Sequence, residues 1–128
     1  MSLRVLVVDD SAIMRRMVMR KLKRTGLGEF EFVEAGNGRD ALEEFVRQAF
    51  DLILVDWNMP AMTGIEFVRR LREQGGTTPP VAMITTEKTV AARRQAEKDA
   101  GVQAYVTKPF TVEEIKASLA PLIERLVA

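Results

Sequence analysis

Five times along 128 residues, a short apolar run gives way to a stretch whose apolar residues recur at helical spacing. The short runs are "LRVLVV" (3–8), "FEFVEA" (30–35), "DLILV" (51–55), "VAMIT" (81–85) and "QAYVT" (103–107). The first is β-branched and apolar on both faces, as a parallel strand covered on both sides must be. The second is more polar, which places it at a sheet edge. Between and after them come five stripes at helical spacing: Met14, Met17, Val18 and Leu22; Ala41, Leu42, Phe45 and Ala49; Phe67, Val68 and Leu71; Ala92, Ala96 and Ala100; and Ile115, Leu119, Leu122, Ile123 and Leu126. The methionines of the first helix are predicted to face the core. Gly26 and Gly28 stop the first helix, and "GGTTPP" (75–80) is a clear break. Strict alternation of strand and helix demands a parallel sheet with helices on both faces. Five units are too few to close an eightfold barrel. The expected fold is therefore α/β: an open, doubly wound, five-stranded parallel sheet with five helices, in one domain spanning 1–128.

In such sheets ligands bind beyond the carboxyl ends of the strands. Strand one ends in Asp9 and Asp10, strand three in Asp56, strand four in Thr85 and Thr86, and strand five in Thr107 and Lys108, with Pro109 next. Three carboxylates crowded together repel one another and raise their pKa values unless a cation sits among them. Lys108 is one candidate and a divalent ion the other. The chain has no histidine and no cysteine, which removes imidazole bases, thiolates and the usual zinc ligands. An all-oxygen set favours Mg²⁺, with Mn²⁺ the alternative. Asp9 and Asp10 can supply the first carboxylates. Asp56 can bind the metal and still offer an oxygen, and the backbone carbonyl of Asn58 is placed to turn back toward the same ion. A carboxylate beside a metal and a lysine can attack phosphorus and form an aspartyl phosphate. Lys108 would then spread the charge on the phosphoryl oxygens, and Thr85 could donate its hydroxyl to one of them.

Four segments together resemble a response-regulator receiver domain over essentially the whole chain: "VVDDS" (7–11), "VDWNMPAMTG" (55–64), "ITTE" (84–87) and "YVTKPF" (105–110). Within that family, "DWNMPAMTGIEF", Tyr105 and the "MRR" after the acid pair most resemble the CheY-type chemotaxis regulators. The resemblance implies a flavodoxin-like sheet of strand order 2-1-3-4-5. It implies that Asp56 accepts a phosphoryl group from a phosphohistidine on a sensor histidine kinase. Mg²⁺ would be held by Asp9, Asp10, Asp56 and the Asn58 carbonyl. Thr85 and Tyr105 would be the switch, Thr85 moving toward the phosphoryl group and Tyr105 turning inward. Lys108 would contact the phosphoryl group, and the Lys108–Pro109 bond would be cis. The expected output face is the fourth helix, the fifth strand and the last helix, binding a downstream protein such as a flagellar motor switch. A phosphorelay or a non-flagellar pathway is the alternative. Ser11 after the acid pair and the long "GGTTPP" loop are unusual, and neither touches the proposed chemistry. No output domain is expected after Ala128, so the signal would leave by non-covalent binding. The reading is of a monomeric phosphoacceptor, not an enzyme acting on a separate substrate.

Other classes fit less well. Nineteen basic residues against eighteen acidic ones argue against nucleic-acid binding. No apolar run approaches the roughly 20 residues of a membrane span, and "MSLRVLVVDD" meets acids too soon for a signal peptide; a cytoplasmic protein is expected. No phosphate-binding P-loop motif occurs. A haloacid-dehalogenase type of phosphatase needs a proton donor where Asn58 stands. A flavodoxin-like cofactor phosphate would meet the acids of "DDSA". Plainer roles exist for single residues. Asp9–Asp10 or Thr85 would serve as helix caps, Asp56 as a turn acid before Pro60, and Lys108 as a solvated residue. Trp57 would be a packing aromatic, and Arg15, Arg16, Arg20, Lys21, Lys23 and Arg24 a solvated basic face.

Overall fold

The computed structural model describes residues 2–74 and 78–127. Its elements follow in order: β1 Ser2–Val8, α1 Ala12–Arg24, β2 Glu29–Ala35, α2 Gly38–Arg47, β3 Leu52–Val55, α3 Gly64–Glu73, β4 Val81–Thr85, α4 Val90–Arg94, β5 Ala104–Thr107 and α5 Val112–Val127. All strand pairings are parallel, in the order β2-β1-β3-β4-β5. The polar strand β2 is at an edge, as expected. In "GGTTPP", Gly75, Gly76 and Thr77 lie outside the described residues.

The pleat sorts the core into two layers. Leu6, Val8, Ile53, Val55 and Met83 pack with Ala41 of α2 and Ile65, Phe67, Val68 and Leu71 of α3 on one face. Val5, Val7, Leu52, Leu54, Ala82 and Ile84 pack with Val18 and Leu22 of α1 and Ile115, Leu119 and Ile123 of α5 on the other. Every residue of β3 is buried, as the central strand of a doubly covered sheet requires.

Each helix opens on a side-chain cap, worth about 1 kcal/mol apiece. Ser11 accepts from the Met14 amide, Asn37 from Asp40, Thr63 from Glu66, Thr89 from Ala92 and Thr111 from Glu114. The acid pair and Thr85 are thereby relieved of capping.

Three sequence expectations need correction. In α1 the buried residues are Val18 and Leu22; Met19 packs against that core and Met14 is half-buried, but Met17 is 37% exposed, so the methionines of this helix do not all face the core. The second stripe overshoots: α2 ends at Arg47, Ala49 is exposed and Phe50 is buried in its place. The Ala92–Ala96–Ala100 stripe is not one α-helix, because Gln95–Asp99 widens into a π turn in which the Ala100 amide donates to the Gln95 carbonyl. The wider turn still buries Ala96 and Ala100.

Candidate functional site

The register of the sheet brings the strand ends together. Val8 of β1 is level with Val55 of β3, so Asp9 and Asp56 leave adjacent strands at the same height. Thr85 of β4 is level with Thr107 of β5, and the Lys108 amide donates to the Thr85 carbonyl at 2.8 Å. Asp9, Asp56, Thr85 and Lys108 are all buried, while Asp10 is exposed. The Lys108–Pro109 bond is cis.

Lys108 Nζ donates to Asp9 Oδ2 at 2.8 Å and lies 3.6 Å from Asp56 Oδ2. Asp9, Asp10 and Asp56 each offer a carboxylate oxygen within 4.8 Å of the other two. Asp56 Oδ1 is buried and has no hydrogen-bond partner of good geometry, which is costly for an anionic oxygen. The Asp56 pKa is raised above its ordinary value. Burial is the largest cause; Lys108 pulls it down, Asp9 pushes it up, and the Thr85 hydroxyl and Asn58 amide pull it down again. One ammonium faces three carboxylates. An unpartnered buried carboxylate oxygen beside two further carboxylates, with no nitrogen or sulfur donor, fits a hard divalent cation such as Mg²⁺.

The response regulator receiver domain model matches residues 5–120. The chain belongs to that family. Chemotaxis protein CheY-3 of Vibrio cholerae is 38% identical over 128 residues, covering 98% of this chain and 95% of the relative. Chemotaxis protein CheY of Pseudomonas aeruginosa is 38% identical over 127 residues, with 97% and 98% covered. Among solved structures, V. cholerae chemotaxis protein CheY4 matches with a TM-score of 0.78 at 38% identity, covering 95% of this chain and 99% of that one. The receiver domain of Francisella response regulator 1452 matches with a TM-score of 0.82 at 28% identity, covering 96% and 98%.

In this receiver domain the two residues named as the switch are joined through Glu87, which carried no role in the sequence. The Glu87 amide donates to Thr85 Oγ1 at 3.3 Å, and the Glu87 carbonyl accepts from the Tyr105 hydroxyl at 2.7 Å. Its side chain accepts from Asn58 Nδ2 at 3.2 Å. Tyr105 is only 6% exposed. Burial, then the charge of Glu87, pushes its pKa to about 12. Trp57 is half-buried and packs against the α2–α3 layer, in keeping with a packing aromatic.

Two further residues were not legible. Arg15, read as part of a solvated basic face, donates to the Asp9 carbonyl and to Glu34. Gly64 donates its amide to the Trp57 carbonyl at 2.8 Å. A Cβ there would sit 2.2 Å from the Asp56 carbonyl oxygen and 3.0 Å from the Trp57 Cα. The atoms in the way are backbone and not a flexible side chain, so Gly64→Ala is expected to displace the Asp56 loop. The expected cost is about 3 kcal/mol, the upper end for overpacking, with loss of any chemistry at Asp56. Chemical denaturation checks this, and a cost below about 1 kcal/mol would show that the loop can move aside.

Proposed function

We propose that Asp56 accepts a phosphoryl group from a phosphohistidine of a sensor histidine kinase, in a two-component chemotaxis pathway in the cytoplasm. The observation that carries this reading is the buried, unpartnered Asp56 oxygen, set beside Lys108 and two further acids at one strand-end rim. Asp9, Asp10, Asp56 and the Asn58 carbonyl would hold Mg²⁺, which when bound supplies the positive charge that neutralises the acids and steadies the phosphoryl oxygens. The Asp56 oxygen forms the new bond to phosphorus as the bond to the donor imidazole breaks, and the imidazole leaves with that electron pair. Lys108 moves its ammonium from the acid pair toward the phosphoryl oxygens. Asn58 offers no proton for a leaving group, which suits a stable acyl phosphate better than a hydrolase.

Phosphorylation adds a charge of roughly −1.5 to −2. The Thr85 hydroxyl and the Lys108 ammonium are the donors nearest to the new oxygens, and Glu87 and Tyr105 follow Thr85 because both are bonded into the same chain of contacts. The face of α4, β5 and α5 then binds a downstream protein, a flagellar motor switch being the first candidate. Moving a population from 1:99 to 99:1 takes about 5.5 kcal/mol, within reach of two or three charge-assisted hydrogen bonds at about 1.5–3 kcal/mol each. A stand-alone receiver in a phosphorelay would use the same chemistry with another recipient.

With Mg²⁺ and acetyl phosphate, mass spectrometry is expected to show a gain of about 80 Da in the wild type and none in Asp56→Asn. An adduct in Asp56→Asn, or none in the wild type, sinks the reading. Thr85→Ala is expected to gain the same mass while the modification no longer changes the environment of Tyr105. A normal Tyr105 response in that variant would remove Thr85 from the switch.

A further inference from the structure

We infer that Arg15 is a positioning residue for the acid pair: its guanidinium locks the peptide plane between Asp9 and Asp10, and Glu34 holds that guanidinium in place. The inference rests on the Mg²⁺ reading above.

Every polar group of Asp9 has a partner. Its amide donates to the Ala35 carbonyl at 3.1 Å. Its Oδ1 accepts from the Ser11 amide at 2.9 Å and its Oδ2 from Lys108 at 2.8 Å. Its carbonyl accepts from Arg15 Nη1 at 2.6 Å. Asp10 is the opposite case. It is exposed, and among the described residues its carboxylate has no hydrogen-bond or ion-pair partner. Its position is therefore set through the backbone, and the plane that precedes it is the one Arg15 grips. A rotation of that plane would swing Asp10 out of the three-carboxylate cluster while leaving Asp9 tied by its own side chain.

Glu34 completes the device. Arg15 Nε donates to Glu34 Oε1 at 2.9 Å, and the Arg15 side chain is only 17% exposed, whereas Arg16 and Arg20 on the same helix are exposed. Edge strand β2 thus acts on Asp9 from both ends, through the Ala35 carbonyl directly and through Glu34 by way of Arg15. Only a planar fork can make both bonds at once.

The sign of the effect separates this role from simple charge. A cation near a metal site weakens cation binding, so a purely electrostatic Arg15 would make Arg15→Met bind Mg²⁺ more tightly. Positioning makes it bind more weakly, by about tenfold, the usual lower bound for losing a group that orients metal ligands. Arg15→Lys keeps the charge but not the fork, and is expected to bind about threefold more weakly. Mg²⁺ titration of the full chain by isothermal calorimetry reads both, alongside melting curves without metal, in which Arg15→Lys should stay within about 3 °C of the wild type. Affinity equal to or tighter than wild type in Arg15→Met overturns the inference. Should Arg15→Met fold poorly, unchanged affinity in Arg15→Lys does the same. Absence of Mg²⁺ binding by the wild type is a different failure, since it removes the metal reading itself.

Discussion

Asp56→Asn is expected to melt higher than the wild type at pH 7 in the absence of divalent metal, while losing all modification at position 56. The reason lies in the direction of the Asp56 pKa, which folding raises from 3.8, first through burial and then through Asp9 against the opposing pull of Lys108. Between 3.8 and the raised value, the folded chain keeps a proton that the unfolded chain has released. Stability therefore falls as pH rises through that window, and the penalty is fully present above it. An amide carries no charge and escapes the penalty. The gap between the two proteins should close as pH falls below 3.8, where both states of the wild type become protonated. Mg²⁺ should reverse the order at neutral pH, because a ligand that binds only the folded state adds RT ln(1 + [L]/Kd) and the variant lacks one of the three carboxylates. Melting curves at two pH values, with chelator and with Mg²⁺, provide four comparisons. A variant less stable than wild type at pH 7 with chelator would show that burial of the Asp56 charge costs the fold nothing.

The sheet was easier to read from the sequence than the site. Strands and helices follow from periodicity, and the periodicity of β3 and α5 leaves no second interpretation: Leu52–Val55 is wholly buried, and Ile115, Leu119 and Ile123 line one face. The strand-end acids, Thr85 and Lys108 were legible because topology alone puts strand ends together. Periodicity says much less about small deviations. Ala49 continues a helical stripe on paper, yet α2 stops two residues earlier and Phe50 fills the layer. Ala96 and Ala100 keep their burial through a π turn that a four-residue repeat cannot distinguish from an α-helix. Arg15, Gly64 and Glu87 act through the backbone, by gripping a carbonyl, by lacking a Cβ or by linking two loops. Such roles depend on the path of the main chain and leave no pattern of residue types. The basic run of α1 shows the difficulty, since Arg15 and Arg16 are neighbours of identical chemistry and only one of them turns toward Asp9.

Lys108→Met probes the same pocket from the opposite side, and its effect should be the larger. The Lys108 side chain is 8% exposed, and its ammonium lies 2.8 Å from Asp9 and 3.6 Å from Asp56. Methionine fills a similar volume, so packing is roughly kept, but two buried carboxylates are left facing each other. Breaking a buried pair by removing one partner costs about 3–5 kcal/mol. Part of that cost is avoidable: with Lys108 gone, the one favourable charge on Asp56 is lost and its pKa rises further, so the pocket can take up a proton in place of the ammonium. The destabilisation should therefore shrink as pH falls toward 5, whereas a loss of packing would be indifferent to pH. Mg²⁺ should recover much of the lost stability at pH 7 by replacing the missing charge. It should not recover phosphoryl transfer, because a donor aimed at developing charge contributes about 10²–10³ in rate and the metal cannot occupy the place of Nζ. Three measurements on one variant thus separate the two duties of Lys108: denaturation with chelator at pH 5 and 7, denaturation with Mg²⁺, and the rate of modification by acetyl phosphate. If stability returns with Mg²⁺ and the rate returns with it, Lys108 only neutralises the acids and has no part in the chemistry at Asp56.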